Sequence, residues 1–163
     1  MLFRSLGVEP VAFADADSGK LSQGDADCIV SRLSSLSPTL CLISPDNEIF
    51  DAIPPSFWNR YEVGIRKGPM GSTVLEEGRS IAVSAAPLAT PNGAPVNPTG
   101  AGNAYAGAMT ALRGRGVSLV DAACIASAVG AVFCEYDHIP PWSSTVLSRV
   151  RQATEEVRDK LPS

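Results

Sequence analysis

The sequence predicts an α/β fold, because strand-like segments come first along the chain and helices dominate its second half. Three segments are typical of strands, at residues 10–14, 39–43 and 62–66, and 39–43 is an apolar run like those of buried strands. Apolar residues at helical spacing predict a helix over 23–36. The order of these elements is what indicates the α/β class.

A hairpin and a long loop come next. The segment 68–71 interrupts the third strand, and residues 72–76 and 80–85 are predicted to pair around a turn at Glu77-Gly78. The segment 87–98 is rich in Pro, Gly, Ala and Asn, which is the composition of a loop.

Three helices are predicted in the C-terminal part. The first spans 101–113 and ends at Gly114. The second begins after Ser118, a natural N-cap, with Asp121 placed for an acidic variant of the capping box. This second helix is built mostly of small residues, so we expect it to pack very closely against its neighbours. The last helix spans 144–161 and is amphipathic.

Composition narrows the function classes. A chain of 163 residues with 45% hydrophobic and 18% charged residues is that of one globular domain. The formal net charge is −4 and no basic run occurs, which argues against nucleic acid as a partner. The apolar stretches are too short to span a membrane, and residues 1–7 are too short in apolar length for a signal peptide. We therefore expect a cytoplasmic protein.

Cysteine and histidine give little sign of a metal or thiol site. The four cysteines have no CxxC spacing and the chain has one histidine, so a Cys/His zinc site is not expected. A thiol–imidazole pair of Cys134 and His138 is left open as an alternative. The favoured interpretation is a buried structural cysteine beside a surface histidine.

The segment with the clearest chemistry is the start of the helix at 101. Gly100, Ala101 and Gly102 bring a flexible backbone to a helix N-terminus, where unpaired N–H groups and the macrodipole favour an anion. Thr99 can cap this helix or add a hydroxyl. A lone GxG motif is weak support for a binding site, so its surroundings decide.

Those surroundings resemble the ribokinase-type (PfkB) kinase family. The segment Asn97-Pro98-Thr99-Gly100-Ala101-Gly102-Asn103-Ala104-Tyr105 is similar to the family signature DTxGAGDxF. Residues 63–72 resemble the strand and turn that line the nucleotide, and 121–131 resembles the small-residue helix beside the adenine. The segment 131–140 is similar to the branch typified by the yeast killer-virus maintenance protein.

This resemblance implies a ribokinase-like three-layer α/β/α sandwich, of which the chain is the C-terminal half. It implies ATP and Mg²⁺ as cofactors and a sugar or nucleoside hydroxyl as the phosphoryl acceptor. By position in the motifs, the residues fall into an anion hole and a nucleotide site. The anion hole is Gly100, Ala101, Gly102 and Asn103, and the nucleotide-binding residues are Arg66, Gly68, Gly71 and Ser127.

The sequence departs from the family pattern at three places. Asn103 occupies the position of the catalytic Asp, and an amide has no proton affinity near neutral pH, so it cannot act as general base. Asn97 stands where the family has an Asp near a monovalent cation, which makes cation activation doubtful. The Mg²⁺-positioning motif is degraded, although Asp46 or Glu48 could reach a metal-bound water.

The resemblance assigns 37–163 to a nucleotide-binding C-terminal half-domain and 1–36 to an N-terminal βα segment. The family's complete domain is roughly twice as long, a common size for a single α/β domain. We therefore expect a partial kinase of low or no activity. The alternatives are a non-catalytic nucleotide- or sugar-binding pseudokinase, and a subunit that is completed by a partner chain or a second copy of itself.

Overall fold

The computed structural model describes residues 11–14, 23–36, 40–43, 55–76 and 78–162. Within these residues five strands form one sheet, and their order in the sheet is their order along the chain. β1 pairs with β2 and β2 with β3, both in parallel. The hairpin predicted after the third strand is present. The strands are β1 Val11–Ala14, β2 Leu40–Ile43, β3 Glu62–Arg66, β4 Ser72–Glu76 and β5 Arg79–Val83.

The predicted helices are all present. The last of them ends at Arg158 rather than at 161, and a short helix that the sequence did not predict spans Pro55–Trp58. Its single turn is too short to show a helical period. No helix within the described residues combines the length and apolar content needed to cross a bilayer. The helices are α1 Gln23–Leu36, α2 Pro55–Trp58, α3 Ala101–Arg113, α4 Leu119–Cys134 and α5 Ser144–Arg158.

The chain divides into two compact units, and the first contains residues up to Lys67 together with 73–80. Its core includes β2, all four residues of which are buried. Leu40 and Leu42 have no exposed surface, and neither does Val63 on the neighbouring strand. Continuous burial is expected here, because a parallel strand with a neighbour on each side is usually covered on both faces.

The second unit contains residues 68–72 and 81 onward, and its helix α4 packs against both α3 and α5. The small residues of α4 permit a close approach, as the sequence predicted. A Cβ atom added to Gly130 would lie 3.4 Å from the carbonyl oxygen of Ala101 and 3.8 Å from the Cβ of Tyr105. The start of α3, where the predicted anion hole lies, therefore rests directly on α4.

The N-terminus of α4 is capped as the sequence predicted. The Ser118 hydroxyl oxygen accepts from the Asp121 backbone N–H at 3.1 Å, and the hydroxyl donates to the Asp121 carboxylate at 2.8 Å. Arg158 on α5 donates to the other carboxylate oxygen at 2.9 Å. The Ser118 hydrogen bond, followed by Arg158, holds the pKa of Asp121 below its ordinary value, against the opposing effect of desolvation.

We expect the free energy of unfolding to depend on pH through the Asp121 carboxylate of this cap. Because its folded-state pKa is depressed, Asp121 contributes stability above its ordinary pKa of 3.8 and loses it as pH falls through the folded-state value. Ser118→Ala should cost about 1 kcal/mol in the free energy of unfolding near pH 7, as N-cap losses do, and less in acid. Urea unfolding of wild type and Ser118→Ala, near pH 7 and in acid, measures the cost of the substitution under each condition.

The matched control is Ser143→Ala, because Ser143 caps α5 through the Val146 N–H without a carboxylate partner in its described surroundings. Its cost should not fall in acid in the same way. An equal loss at both pH values for Ser118→Ala would contradict the role given to Asp121.

Candidate functional site

The loop before α3 delivers its backbone in the conformation that an anion site requires. Gly100 is the N-cap residue of α3 and has a φ of 89°, in the left-handed region that favours glycine. A Cβ atom at Gly100 would meet nothing within 4 Å, so the space beside it is open. The Ala101 N–H is bonded to the Pro98 carbonyl at 3.2 Å, which closes a turn immediately before the helix.

Two backbone donors in the first turn of α3 are available to a ligand. Within the described part of the chain, the N–H groups of Gly102 and Asn103 have no hydrogen-bond partner. The side-chain amide of Asn103 has no partner there either, and the residue is exposed. The residues predicted for the anion hole therefore lie together, with unused donors at the positive end of a helix dipole. This arrangement fits a phosphate group.

Asn97 has a structural role in the same loop. Its side-chain oxygen accepts from the Thr99 N–H at 2.9 Å, and its side-chain nitrogen donates to the Asp137 carbonyl at 3.1 Å. The amide nitrogen is a donor only and cannot ligate a cation. Asn97 thus links residues 98–103, which we call the anion loop, to the chain that follows α4. Its place beside a monovalent cation stays a prediction.

The two glycines of the predicted nucleotide turn differ in what they meet. Both have positive φ, 53° at Gly68 and 91° at Gly71. A Cβ at Gly68 would meet nothing within 4 Å, whereas a Cβ at Gly71 would lie 2.1 Å from the Val83 carbonyl oxygen and 2.6 Å from the Ala85 nitrogen. Gly71 is therefore required by the packing of the turn on the chain after β5. Gly68 is where a ligand has room.

Buried hydroxyl groups connect this turn to the helices. The Ser127 hydroxyl of α4 donates to the Ser84 carbonyl at 2.9 Å, next to the backbone on which Gly71 packs. The Tyr105 hydroxyl of α3 donates to the Ser72 hydroxyl oxygen, also at 2.9 Å. The structure thus brings Gly71 and Ser127 together through Ser84.

The Tyr105 hydrogen bond predicts a measurable loss. In Tyr105→Phe the ring stays and the buried Ser72 hydroxyl loses its donor, which should lower the free energy of unfolding by about 1 kcal/mol. The matched control is Tyr136→Phe, because the Tyr136 hydroxyl has no partner within the described residues. Urea unfolding should separate the two variants, and equal stabilities would contradict a role for this bond.

The roles of the remaining predicted residues stay predictions. Arg66 is half-buried at the end of β3 and belongs to the first unit. Asp46 and Glu48 lie outside the described residues. Among the residues that are described, no group of three or more His, Cys, Asp or Glu side chains could hold a metal ion.

The Cys134–His138 alternative gains no support. Burial raises the pKa of the Cys134 thiol, followed by a smaller effect of the Glu135 charge, so the reactive thiolate is disfavoured. The His138 side chain is 91% exposed and lies 3.8 Å from the Asp137 carboxylate. The surface histidine matches the favoured interpretation, whereas Cys134 is only half-buried rather than buried as that interpretation expected.

Sequence reasoning missed a buried ion pair beside the loop. Arg149 of α5 donates to Glu135, at the end of α4, from Nη2 at 2.7 Å and from Nε at 3.0 Å. The same Nη2 donates to the Pro87 carbonyl at 2.6 Å, and Glu135 accepts from the Ala89 N–H at 2.8 Å. No spacing rule links residues this far apart, although a lone Glu after the apolar stretch of α4 was a possible signal.

The described residues form an α/β fold in which a glycine turn with two unused N–H donors lies at the start of a helix. No family model matches the sequence, and no curated protein matches it. Solved structures do match its backbone. Aminoimidazole riboside kinase from Salmonella enterica, complexed with aminoimidazole riboside and an ATP analog, superposes with a TM-score of 0.67 at 18% identity, over 91% of this chain and 54% of that chain.

Two further structures agree. Adenosine kinase from Sinorhizobium meliloti matches with a TM-score of 0.67 at 16% identity, over 92% of this chain and 46% of its own. Arabidopsis thaliana ribokinase complexed with ribose and ATP matches with a TM-score of 0.63 at 17% identity, over 90% of this chain and 49% of its own. The chain has the ribokinase-like α/β fold, and it spans about half the length of the kinases that it matches.

Proposed function

We propose that this chain binds the phosphates of ATP at Gly100–Asn103, as a PfkB-type sugar or nucleoside kinase of low or no activity. The single observation that carries the proposal is the pair of unused N–H donors at Gly102 and Asn103, at a helix N-terminus that follows a left-handed Gly100. Three features of one anion site thus coincide in a short segment.

The nucleotide turn supports the same assignment. Gly68 opens onto free space in the second unit, which also contains the anion loop. The Salmonella and Arabidopsis kinases of the same fold are described with an ATP analog and with ATP. The acceptor class rests on the same comparison, because these two proteins are described with aminoimidazole riboside and with ribose.

Asn103 limits the chemistry. In phosphoryl transfer the acceptor oxygen forms a bond to the γ-phosphorus, the bond to the bridging oxygen of ADP breaks, and the hydroxyl proton must leave. Asn103 can donate to or accept from that hydroxyl but cannot take its proton. General-base help is worth about 10²–10⁴-fold in rate, so we propose slow transfer. Binding without catalysis is the second candidate, and the same amide favours it.

Magnesium and the finer assignments stay proposals. Mg²⁺ commonly binds through substrate phosphates and waters with one or two carboxylates, so it would reach this site on the nucleotide. The killer-virus branch, Arg66 as a nucleotide contact and Asn97 as a cation neighbour remain predictions from the resemblance.

The test is isothermal titration of ATP with Mg²⁺, followed by ATP turnover against sugars and nucleosides. We expect ATP to bind, tripolyphosphate to compete with it, and adenosine without phosphates to bind far more weakly. Turnover should be slow or absent. If neither ATP nor tripolyphosphate binds, the proposal fails and a structural subunit becomes the better account of the fold.

A further inference from the structure

The loop of residues 87–97, which leads to the anion loop, is held near both of its ends by hydrogen bonds to the C-terminus of α4. At the end nearer α3, the N–H groups of Val96 and Asn97 donate to the Cys134 carbonyl at 2.8 and 3.3 Å. At the other end, the Ala89 N–H donates to the Glu135 carboxylate at 2.8 Å. Cys134, the last residue of α4, and its C-cap Glu135 therefore hold the two ends of a segment that leads directly to the anion loop.

The Glu135 carboxylate is held in turn by Arg149. The Glu135 side chain is 9% exposed and the Arg149 side chain 14% exposed, so salt screens this pair little. Arg149 also reaches the loop itself through the Pro87 carbonyl, 2.6 Å from Nη2. One ion pair thus supplies both an acceptor and a donor to the first part of the loop.

We propose that Glu135 and Arg149 are positioning residues for the anion loop, which fix residues 87–97 and through them the donors of Gly102 and Asn103. The inference deepens the proposed function and rests on it, because the loop matters for binding only if Gly100–Asn103 holds phosphate. Neither residue is assigned a contact with the ligand.

The middle of the loop, residues 91–96, has few contacts of its own. Residues 91–96 are all exposed, so they bury few apolar atoms. The bonds within the loop close only a local turn, from the Gly93 N–H to the Thr90 carbonyl at 3.0 Å and from the Thr90 hydroxyl to the Ala94 carbonyl at 2.7 Å. The position of the loop therefore depends on its contacts with Cys134, Glu135 and Arg149, together with the bond from the Asn97 amide to the Asp137 carbonyl at its last residue.

A second ion pair between the same helices provides a control. Arg158 of α5 donates to Asp121, near the start of α4, at 2.9 Å. This pair joins α4 to α5 as the first one does, but none of its hydrogen bonds reaches the loop. Arg149→Lys and Arg158→Lys are thus matched changes on one helix, of which only the first removes a guanidinium that spans a carboxylate and a loop carbonyl.

The experiment compares the full chain with Glu135→Ala, Glu135→Gln, Arg149→Lys and Arg158→Lys. Two quantities are measured, the amide hydrogen exchange of peptides covering 87–103 and the Kd for inorganic tripolyphosphate. We expect faster exchange and about 10–100-fold weaker binding for Glu135→Ala and Arg149→Lys, by analogy with the loss of residues that support metal ligands. Glu135→Gln keeps an acceptor for the Ala89 N–H, so its exchange rate and its Kd should lie between those of wild type and Glu135→Ala.

Arg158→Lys should leave both quantities at the wild-type value, even where it lowers the melting temperature. Positioning is overturned if Arg149→Lys leaves exchange in 87–103 unchanged, or if Arg158→Lys changes it equally. Arg149→Lys and Glu135→Gln are mild enough to keep the test open if Glu135→Ala does not fold. If wild-type protein fails to bind tripolyphosphate, the proposed function is lost, while the exchange comparison still decides the positioning.

Discussion

Gly71→Ala is expected to cost this protein about 3 kcal/mol or more of its free energy of unfolding, combining left-handed backbone strain with overpacking. The added Cβ would lie 2.1 Å from the Val83 carbonyl oxygen and 2.6 Å from the Ser84 carbonyl carbon. Both are backbone atoms, so no side chain can turn aside to relieve the contact. Urea unfolding followed by circular dichroism measures the loss.

Gly68→Ala is the matched control in the same turn. Its φ of 53° also disfavours a side chain, but its Cβ would meet nothing within 4 Å. Gly68→Ala should therefore lower the free energy of unfolding only by the cost of the left-handed backbone conformation, about 1–2 kcal/mol. Equal losses of stability in the two variants would contradict the claim that Gly71 is required by its close packing on the backbone of residues 83–85.

Asn103→Asp is expected to increase phosphoryl transfer from ATP by about 10²–10⁴-fold, the usual contribution of a general base. The added carboxylate would receive the proton of the acceptor hydroxyl. Folding should not suffer, because Asn103 is exposed in the first turn of α3, where a negative charge is favourable to the helix dipole. ATP turnover across a panel of sugars and nucleosides measures the gain.

Asn103→Ala serves as the control at the same position, since it removes the amide without adding a base. It should bind ATP and show no gain in turnover. If Asn103→Asp binds ATP as wild type does and still shows no turnover with any acceptor, loss of the base does not explain low activity. The explanation would then have to be sought in how the acceptor is bound.

The regular elements were predictable from sequence because their causes are local. The end of the helix at 101–113 follows from Gly114, and the start of α4 follows from its Ser118 cap. The turn at Gly100 and the free backbone donors after it were predictable for the same reason, whereas anion binding by these donors stays a prediction. At Gly100 the requirement is the left-handed φ of 89° rather than small size, because a Cβ there would meet nothing within 4 Å.

The parts that escaped prediction depend on residues far apart in the chain. The need for glycine at Gly71 comes from the backbone of 83–85, which sequence does not place beside it. The partner of Tyr105 is Ser72, and the partner of Glu135 is Arg149 on another helix. Asn97 was judged by the carboxylate that it replaces, whereas its amide makes two bonds that hold the loop.

The central claim is that the backbone of Gly100–Asn103 binds the phosphates of ATP. For a chain of 17.0 kDa it is tested most directly by amide proton–nitrogen correlation spectra recorded during titration with ATP and Mg²⁺. We predict that the Gly102 and Asn103 resonances shift as their N–H groups become donors, that tripolyphosphate reproduces these shifts, and that adenosine does not. Saturation with ATP that leaves both resonances in place would contradict the claim.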